Sequence, residues 1–451
     1  MLVRFSVENF MSYKDTQVFS MIAGKHTKHS NHVVEIKGKR ILKGSFFFGA
    51  NASGKSNLFE AISFSQGIIQ NDIKKNSLVN KHFRISDHYI DKPGVFQFDI
   101  LANSHFYSYG FAISYKNASV LEEWLYLCDT TEQKIFERIL ENNTTVVTTD
   151  IKFSEDSQRQ SFTVFSDNVP DDRLLLTEIS ERKLIDHPDF FAFKDVKNWF
   201  TNLNLISPNS RYISKNSMLS EDEHEYNLAT LLKDFDTGIE SISLDEEKME
   251  DVLDFLPEEL KSEMMQSIET GFNEEDSQHN KPFEIEVSIG GRSLQFRKEN
   301  NQIFASQLMM DHGNKGDLFE LADESDGTQR LFDLIPIYRK GKTPHVIIVD
   351  ELDRSFHTKL VVRFIQRFYE STQGVESQLI ATVHDSNVMD LDLLRQDEIW
   401  FVERQNDHSS KIYSLNKFKA RFDKKVAKEY LLGRYGAIPC FAQAESSEAE
   451  D

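Results

Sequence analysis

The residues best suited to chemistry form a glycine-rich loop, Gly49 to Ser56, with the sequence GANASGKS. Two glycines with four residues between them, followed by lysine and serine, match the pattern of a phosphate-binding loop. The glycines let the backbone turn its N–H groups toward phosphate oxygens, and the helix that follows adds its positive N-terminal end. Lys55 can then reach the β- and γ-phosphates of a nucleotide, and the hydroxyl of Ser56 can bind Mg²⁺.

The flanking sequence supplies the elements that must position this loop. Residues 41–48 form an apolar run typical of a buried strand, and apolar residues recur at helical spacing from Leu58 to Ile68. A strand, a glycine loop and a helix in this order predict a nucleotide-binding site. The residues predicted to bind the nucleotide here are Gly49, Asn51, Ser53, Gly54, Lys55, Ser56 and Asn57.

Two acidic residues follow a second apolar run. Residues 345–349 are mostly β-branched, as in a central parallel strand covered on both faces, and Asp350 and Glu351 come directly after them. Acids at the carboxyl end of such a strand lie where open α/β sheets bind ligands. We expect Asp350 and Ser56 to hold Mg²⁺ and Glu351 to accept a proton from the attacking water.

Two further segments predict contacts to a γ-phosphate. The apolar run 378–383 ends at His384, which can donate a hydrogen bond to the phosphate and sense its presence. A serine–glycine turn at 324–330 leads into a helix predicted over 331–338, so Ser325 and Gly327 precede a helix N-terminus, a second potential phosphate cradle. Because the first loop already serves the nucleotide of its own chain, we expect the second to face a nucleotide held by another subunit.

The composition favours a globular protein and limits its partners. The chain has 451 residues, a hydrophobic fraction of 39% and a formal net charge of −21. A field of that sign repels nucleic acid. The basic segment 417–434 leaves two interpretations open, a solvated basic helix or a local binding surface. No stretch reaches the ~20 apolar residues that cross a bilayer, and two cysteines without an N-terminal leader pattern predict a cytoplasmic protein with no membrane partner.

The pattern along the chain predicts an α/β fold with an insertion. Strand alternation over 94–140 predicts an antiparallel β-layer beside the parallel core. Helical spacing between 173 and 270, including an acidic helix over 244–270, predicts an inserted helical arm or lid. A hairpin over 283–296 follows, turning at 290–291. We therefore divide the chain into an N-terminal lobe (1–165), a helical arm (166–280), a C-terminal lobe (281–440) and a disordered acidic tail (441–451).

This order of motifs resembles the ABC-type ATPase heads of the RecF/Rad50/SMC group. More narrowly, it resembles the prokaryotic AAA_15/AAA_21 ATPases of antiphage defence (RloA-, AbiL- and PARIS-like proteins). The resemblance implies that 49–56 is the Walker A loop, 324–329 the signature, Asp350 and Glu351 the Walker B acids, and His384 the switch histidine. Further matches lie at 9–12, 123–125, His312, 352–357, 397–401 and 430–439.

The resemblance implies a P-loop ATPase head, a mixed sheet with an antiparallel β-layer, that takes ATP and Mg²⁺ and closes face to face in homodimers or higher homo-oligomers. Glu351 and His384 would be catalytic, Ser56 and Asp350 would bind the metal, and Ser325 and Gly327 would contact ATP across subunits. The function implied is a sensor or scaffold subunit of an abortive-infection system, with a phage-derived trigger and a separate nuclease-like effector. The alternative is a RecF/Rad50-like DNA-repair ATPase that binds DNA directly. Gln66 and Gln97 are both candidates for the Q-loop.

Overall fold

The computed structural model describes residues 1–141, 144–208, 228–275, 284–289, 292–299, 302–314, 316–334, 336–339, 345–418 and 425–439. The chain forms two compact units: residues 1–208, 340–353 and 365–451 make the first, and residues 209–339 and 354–364 make the second. Three predicted features lie outside the described residues: the turn at 290–291, the middle of the basic segment (419–424) and the acidic tail (441–451).

The described strands and helices are numbered in chain order. The strands are β1 (Leu2–Glu8), β2 (Gln17–Ser20), β3 (Val33–Ile36), β4 (Lys39–Leu42), β5 (Gly44–Phe48), β6 (Gly94–Ala102), β7 (His105–Ser114), β8 (Ser119–Cys128), β9 (Glu132–Glu141), β10 (Thr144–Thr148), β11 (Leu203–Ile206), β12 (Ser241–Lys248), β13 (Glu284–Ile289), β14 (Arg292–Glu299), β15 (Gln302–Asp311), β16 (Leu318–Glu320), β17 (Val346–Val349), β18 (Gln378–Thr382), β19 (Ile399–Arg404) and β20 (Ser410–Ser414). The α-helices are α1 (Lys55–Gln70), α2 (Asp156–Asp167), α3 (Leu175–Ser180), α4 (Phe191–Thr201), α5 (Leu228–Asp234), α6 (Met249–Val252), α7 (Glu258–Glu275), α8 (Asp326–Leu334), α9 (Pro336–Arg339), α10 (Thr358–Ser371) and α11 (Val426–Leu431).

The first unit contains the predicted antiparallel β-layer. Seven strands pair in the order β10-β9-β8-β7-β6-β1-β2, and every pair is antiparallel. The hairpin β6–β7 turns at Asn103 and Ser104, whose φ angles of 46° and 65° are left-handed. Strands with alternating apolar residues bury one face and expose the other, which is why this layer was visible in the sequence.

The first unit also contains the predicted parallel core. Six strands pair in the order β11-β17-β18-β5-β19-β20, and only β20 is antiparallel to its neighbour. β5, β17 and β18 are buried along their whole length. The apolar run 41–48 does not form one strand: its first part lies in β4, which pairs with β3, and its second part is β5.

One hydrophobic core joins the two sheets of this unit. It includes Phe98 of the β-layer, Phe47 of the parallel sheet, and buried residues of α1, α3 and α4. The buried carboxylate of Glu123 accepts the N–H groups of Leu175 and Leu176, over 2.6 and 3.0 Å, at the start of α3. Residues up to 208, including α3 and α4, belong to the first unit.

The second unit is mixed rather than purely helical. Its sheet has the order β12-β15-β14-β13, with β16 paired to β15, and α6 and α7 contribute to its own hydrophobic core. The continuous acidic helix predicted over 244–270 is wrong, because Ser241–Lys248 is a strand and α7 begins only at Glu258. All eight residues of this strand pair with β15, from Ser241 opposite Asp311 to Lys248 opposite Phe304, and this pairing outweighs the helical preference of the acidic residues.

Candidate nucleotide-binding site

The glycine-rich loop connects β5 to α1, as the sequence predicted. The strand ends at Phe48 and the helix begins at Lys55. Between them the backbone passes through left-handed conformations at Ala52 (φ 61°) and Gly54 (φ 102°). Alternation of left- and right-handed residues turns successive N–H groups to one side, which is the geometry of an anion-binding backbone loop.

Two glycines seat this loop against the hairpin β19–β20. A Cβ atom on Gly54 would lie 2.2 Å from Oγ of Ser410 and 2.6 Å from Oγ of Ser12. A Cβ atom on Gly49 would lie 2.3 Å from the carbonyl oxygen of Val402. Non-bonded atoms do not approach this closely, so glycine is required at both positions by packing as well as by backbone conformation.

Gly54→Ala is expected to lower the free energy of unfolding by about 2–4 kcal/mol, because the methyl group overlaps two hydroxyls and alanine disfavours a φ of 102°. Gly67→Ala is the matched control, since Gly67 lies inside α1 with no heavy atom near its Cβ position. It should raise the free energy of unfolding by about 0.5–1 kcal/mol. Urea denaturation followed by circular dichroism measures both. A Gly54→Ala protein as stable as the wild type would contradict the tight seating.

The loop is held by hydrogen bonds that involve Ser12, Tyr13 and Ser410. No role was predicted for any of these three residues. Oγ of Ser410 lies 2.7 Å from Oγ of Ser12 and 2.6 Å from the carbonyl oxygen of Ser53. The hydroxyl of Tyr13 donates to the carbonyl oxygen of Gly54 over 2.8 Å. Ser12 and Ser410 are 398 positions apart, so no local pattern could have linked them.

The other predicted loop residues differ in their surroundings. Asn51 is exposed at the tip, and Nδ2 of Asn57 donates to Oγ of Ser12 over 2.6 Å. Ser53 is 2% exposed, and within the described part of the chain its Oγ has no hydrogen-bond partner. A buried hydroxyl without a partner is costly, so Ser53 is suited to donate to a phosphate oxygen.

Lys55 folds back over the loop that precedes it. Its Nζ donates to the carbonyl oxygens of Gly49 and Ala50, over 2.7 and 3.2 Å, and the residue is 6% exposed. Burial lowers the pKa of Lys55, and nearby carboxylates, Asp350 first among them, oppose this shift. The ammonium is thus desolvated inside the loop, where a phosphate oxygen would be a stronger partner than two carbonyls.

Ser56 and Asp350 come together across the sheet although they are 294 positions apart. Oγ of Ser56 lies 3.2 Å from Oδ1 of Asp350, and Thr382 of the intervening strand β18 donates to the same oxygen over 2.6 Å. A hydroxyl and a carboxylate are the hard oxygen donors that Mg²⁺ prefers, so this pair fits the predicted metal. Among the described residues, no group of three or more His, Cys, Asp or Glu is placed to hold a metal.

Glu351 and His384 face each other at the ends of adjacent strands. Nε2 of His384 lies 3.5 Å from Oε1 of Glu351, and their side chains are 43% and 33% exposed. Glu351 has a left-handed φ of 54°. The two residues predicted to be catalytic therefore lie close together and partly exposed, and Glu351 is next in sequence to Asp350, one of the two predicted Mg²⁺ ligands.

Asp353 fixes the loop that carries His384. Its Oδ2 accepts the backbone N–H groups of His384 and Asp385, over 2.8 and 2.7 Å. Residues 352–357 resemble the loop that follows Walker B in the resembled family, but no role was predicted for Asp353. Its spacing of three positions from Asp350 is the signal that could have pointed to it.

Ser325 and Gly327 lie in the second unit, at the start of α8. This helix begins at Asp326, five residues before the predicted start, and Oγ of Ser325 accepts the N–H of Thr328 over 3.2 Å as an N-cap. Ser325 is exposed and Gly327 is partly exposed. A Cβ atom on Gly327 would lie 3.0 Å from the carbonyl oxygen of Ser355, so the turn is also closely packed.

The side-chain amides of both Q-loop candidates form hydrogen bonds away from the nucleotide loop. Nε2 of Gln66 donates to the carbonyl oxygens of Phe200 and Leu203. Nε2 of Gln97 donates within the β-layer, to Asp99 and Ser108. Both amides therefore serve the surrounding fold.

A strand, a G-x₄-G-K-S loop, a helix and an acidic strand end beside the loop serine together define a P-loop nucleotide-binding protein. Residues 45–390 match the AAA_21 family, described as "AAA domain, putative AbiEii toxin, Type IV TA system". The chain therefore belongs to the AAA_21 family. It is a P-loop ATPase of the AAA type, a class of proteins that bind nucleotides. This membership and the mixed sheet confirm the predicted fold class. No curated protein sequence matches the chain.

Several solved structures are similar over most of their length. They are the SMC head bound to the C-winged helix domain of ScpA (16% identity, TM-score 0.42, covering 92% of this chain and 97% of that one), the SMC head domain from Thermotoga maritima (12%, 0.36, 92% and 98%) and the Pyrococcus furiosus Smc head domain with an extended coiled coil, bound to the C-terminal domain of ScpA (13%, 0.41, 96% and 98%). Separately, none of the helices in the described ranges has both the length and the hydropathy that a membrane span requires.

Proposed function

We propose that this protein binds ATP with Mg²⁺ and hydrolyses it at the site built from the Gly49–Ser56 loop and the ends of β17 and β18. The observation that carries the proposal is the cluster in which Ser56 meets Asp350 and Glu351 meets His384. Lys55 would bind the phosphates, Ser56 and Asp350 would hold the metal, and Glu351 would accept a proton from water. When bound, Mg²⁺ would neutralise phosphate charge.

The second part of the proposal is ATP-dependent association of two subunits. The exposed N-terminus of α8, with Ser325 as its cap, offers backbone N–H groups and a positive helix end to an anion. The γ-phosphate held by another subunit is the anion that fits, because the first loop already serves its own chain. ATP binding would then join subunits, and hydrolysis would release them.

The third part concerns what this association controls. We propose an antiphage role of the abortive-infection type, in which the ATPase senses a phage-derived trigger and controls a separate, nuclease-like effector in the cytoplasm. The support is membership of the AAA_21 family, described as a putative AbiEii toxin of a type IV TA system, together with a net charge of −21 that disfavours a general DNA-binding role. Copurification with the products of neighbouring genes, with and without ATP, tests it: an ATP-dependent partner is expected.

Ser325→Asp is expected to abolish ATP-dependent association without loss of stability. Aspartate caps a helix as well as serine does, but its charge repels a phosphate. Ser157→Asp adds the same charge to the first turn of α2 in the first unit and should leave association unchanged. Size-exclusion chromatography with light scattering, with and without ATP, measures the effect. Association of Ser325→Asp at the wild-type ATP concentration would remove α8 from the interface.

The alternative is a DNA-repair ATPase that binds DNA directly. The observation favouring it is the basic segment 417–434. In this segment Lys425 directly precedes α11 and Lys428 lies within it. Arg434 of the same segment pairs with Glu429, so this charge is compensated within the protein. Salt-dependent binding of a fluorescent DNA duplex by the purified protein would favour the alternative, and its absence at low salt would favour the defence role.

A further inference from the structure

Thr382, the last residue of β18, contacts both acids of the neighbouring strand end through one hydroxyl. The residue is 5% exposed. Its hydroxyl donates to Oδ1 of Asp350 over 2.6 Å and accepts the backbone N–H of Glu351 over 2.7 Å. A hydroxyl has one hydrogen to donate and lone pairs to accept with, so both bonds form together.

The bond to Glu351 acts on an unusual backbone conformation. Residues with a Cβ atom rarely adopt a φ near 54°, and such a conformation persists only where its surroundings determine it. The Thr382 hydroxyl holds the N–H of this same residue. In this conformation the Glu351 carboxylate lies 3.5 Å from His384. Without the hydroxyl, the backbone of Glu351 is free to relax and its carboxylate to move.

The bond to Asp350 acts on a buried carboxylate. Asp350 is 5% exposed, and its Oδ1 is shared by the hydroxyls of Thr382 and Ser56. Two directional bonds to one oxygen fix the rotation of the carboxyl group, which decides how its lone pairs face a metal beside Ser56.

Packing alone does not explain a threonine at this position. Valine has the same shape, is favoured in buried strands and would suit β18, whose other residues are also buried. We propose that Thr382 is a positioning residue of the ATPase site: its hydroxyl orients Asp350 toward the metal and fixes the backbone of Glu351 for proton acceptance. This inference rests on the proposed function and gives a role to a residue for which none was predicted.

The test compares Thr382→Val, which removes the hydroxyl and keeps the shape, with Thr382→Ser, which keeps the hydroxyl. The valine variant is expected to lower kcat about 10- to 100-fold and to change KM for ATP less than about threefold. The Mg²⁺ concentration that half-saturates ADP binding, measured calorimetrically, should rise about five- to tenfold in the same variant. The serine variant should lie within about threefold of the wild type in each measurement. The backbone bond from Leu352 N–H to the Thr382 carbonyl, 3.0 Å, involves no side-chain atom, so each variant can keep it.

Thr177→Val is the matched control. Thr177 is fully buried, and its hydroxyl donates to the carbonyl oxygen of Ile69 over 2.7 Å. The Thr177→Val variant should lower the melting temperature about as much as Thr382→Val does. It should leave kcat and the Mg²⁺ concentration that half-saturates ADP binding unchanged. Thr382→Val with wild-type kcat and midpoint would overturn the proposal, as would a serine variant as impaired as the valine one.

The measurements also separate this inference from the proposed function. A wild-type protein that binds ADP with Mg²⁺ but does not hydrolyse ATP would overturn the hydrolytic function, and the Mg²⁺ midpoint would still decide the role of Thr382. A wild-type protein that binds no nucleotide would overturn both.

Discussion

Glu351→Gln is expected to slow ATP hydrolysis by at least about 100-fold while leaving the Kd for ATP within about threefold of the wild-type value. Glutamine has the shape of glutamate but its amide does not accept a proton at neutral pH. Its amide oxygen can keep the contact that Oε1 makes with Nε2 of His384, 3.5 Å away. The lost function is therefore proton acceptance rather than folding or binding. Single-turnover phosphate release gives the rate, and equilibrium binding of a fluorescent ATP analogue gives the Kd.

The same variant should accumulate as an ATP-bound oligomer, because association would no longer be ended by hydrolysis. Glu132→Gln is the control: Glu132 is exposed at the start of β9, and its replacement removes one carboxylate without touching the site. It should hydrolyse ATP and dissociate like the wild type. If Glu351→Gln turns over ATP at the normal rate, another group accepts the proton and the assignment of Glu351 is wrong.

Lys55→Ala is expected to weaken ATP binding by at least about 100-fold, and Lys55→Met to do the same while keeping the aliphatic stem. The Lys55 ammonium is already desolvated within the loop, where it donates to the carbonyl oxygens of Gly49 and Ala50. When the ammonium moves to a phosphate oxygen, it therefore has little further desolvation cost. Most of the free energy of the new charge pair then strengthens ATP binding. Isothermal titration calorimetry with ATP and Mg²⁺ measures the loss.

A second buried lysine provides the control for this prediction. Lys43 precedes β5, is 1% exposed and donates to the carbonyl oxygen of Thr372, and burial lowers its pKa to about 8. It lies at the opposite end of the strand from the loop. Lys43→Met should change thermal stability but not ATP affinity, since it removes a buried ammonium away from the phosphates. Equal losses of affinity in Lys43→Met and Lys55→Met would mean that the effect of Lys55 comes from folding.

These variants also separate the steps of the proposed cycle. A protein with Lys55→Ala should neither bind ATP nor associate, Ser325→Asp should bind ATP without associating, and Glu351→Gln should associate without being released. Any other order of defects would require a different coupling between nucleotide and assembly.

The elements that could be predicted from the sequence are those with a local pattern. The loop from Gly49 to Ser56 is fixed by residue types within eight positions, because glycine conformations and a helix N-terminus are local properties. The buried strands β17 and β18 were visible because strands covered on both faces are continuously apolar. The β-layer was visible because its strands alternate with period two.

The tertiary structure decided what depends on sheet order. Strand β18 lies between β5 and β17. This order brings the hydroxyls of Ser56 and Thr382 to the same carboxylate oxygen of Asp350. The same kind of long-range contact joins Ser12 to Ser410. It also made Ser241–Lys248 a strand instead of a helix, because pairing with β15 outweighed the local preference of its acidic residues. Local periodicity predicted most elements, whereas pairing between residues distant in the sequence decided which strands became neighbours and, at Ser241–Lys248, which element formed. The loop was therefore predictable from the sequence, and the contacts that Ser56 and Thr382 make with Asp350 were not.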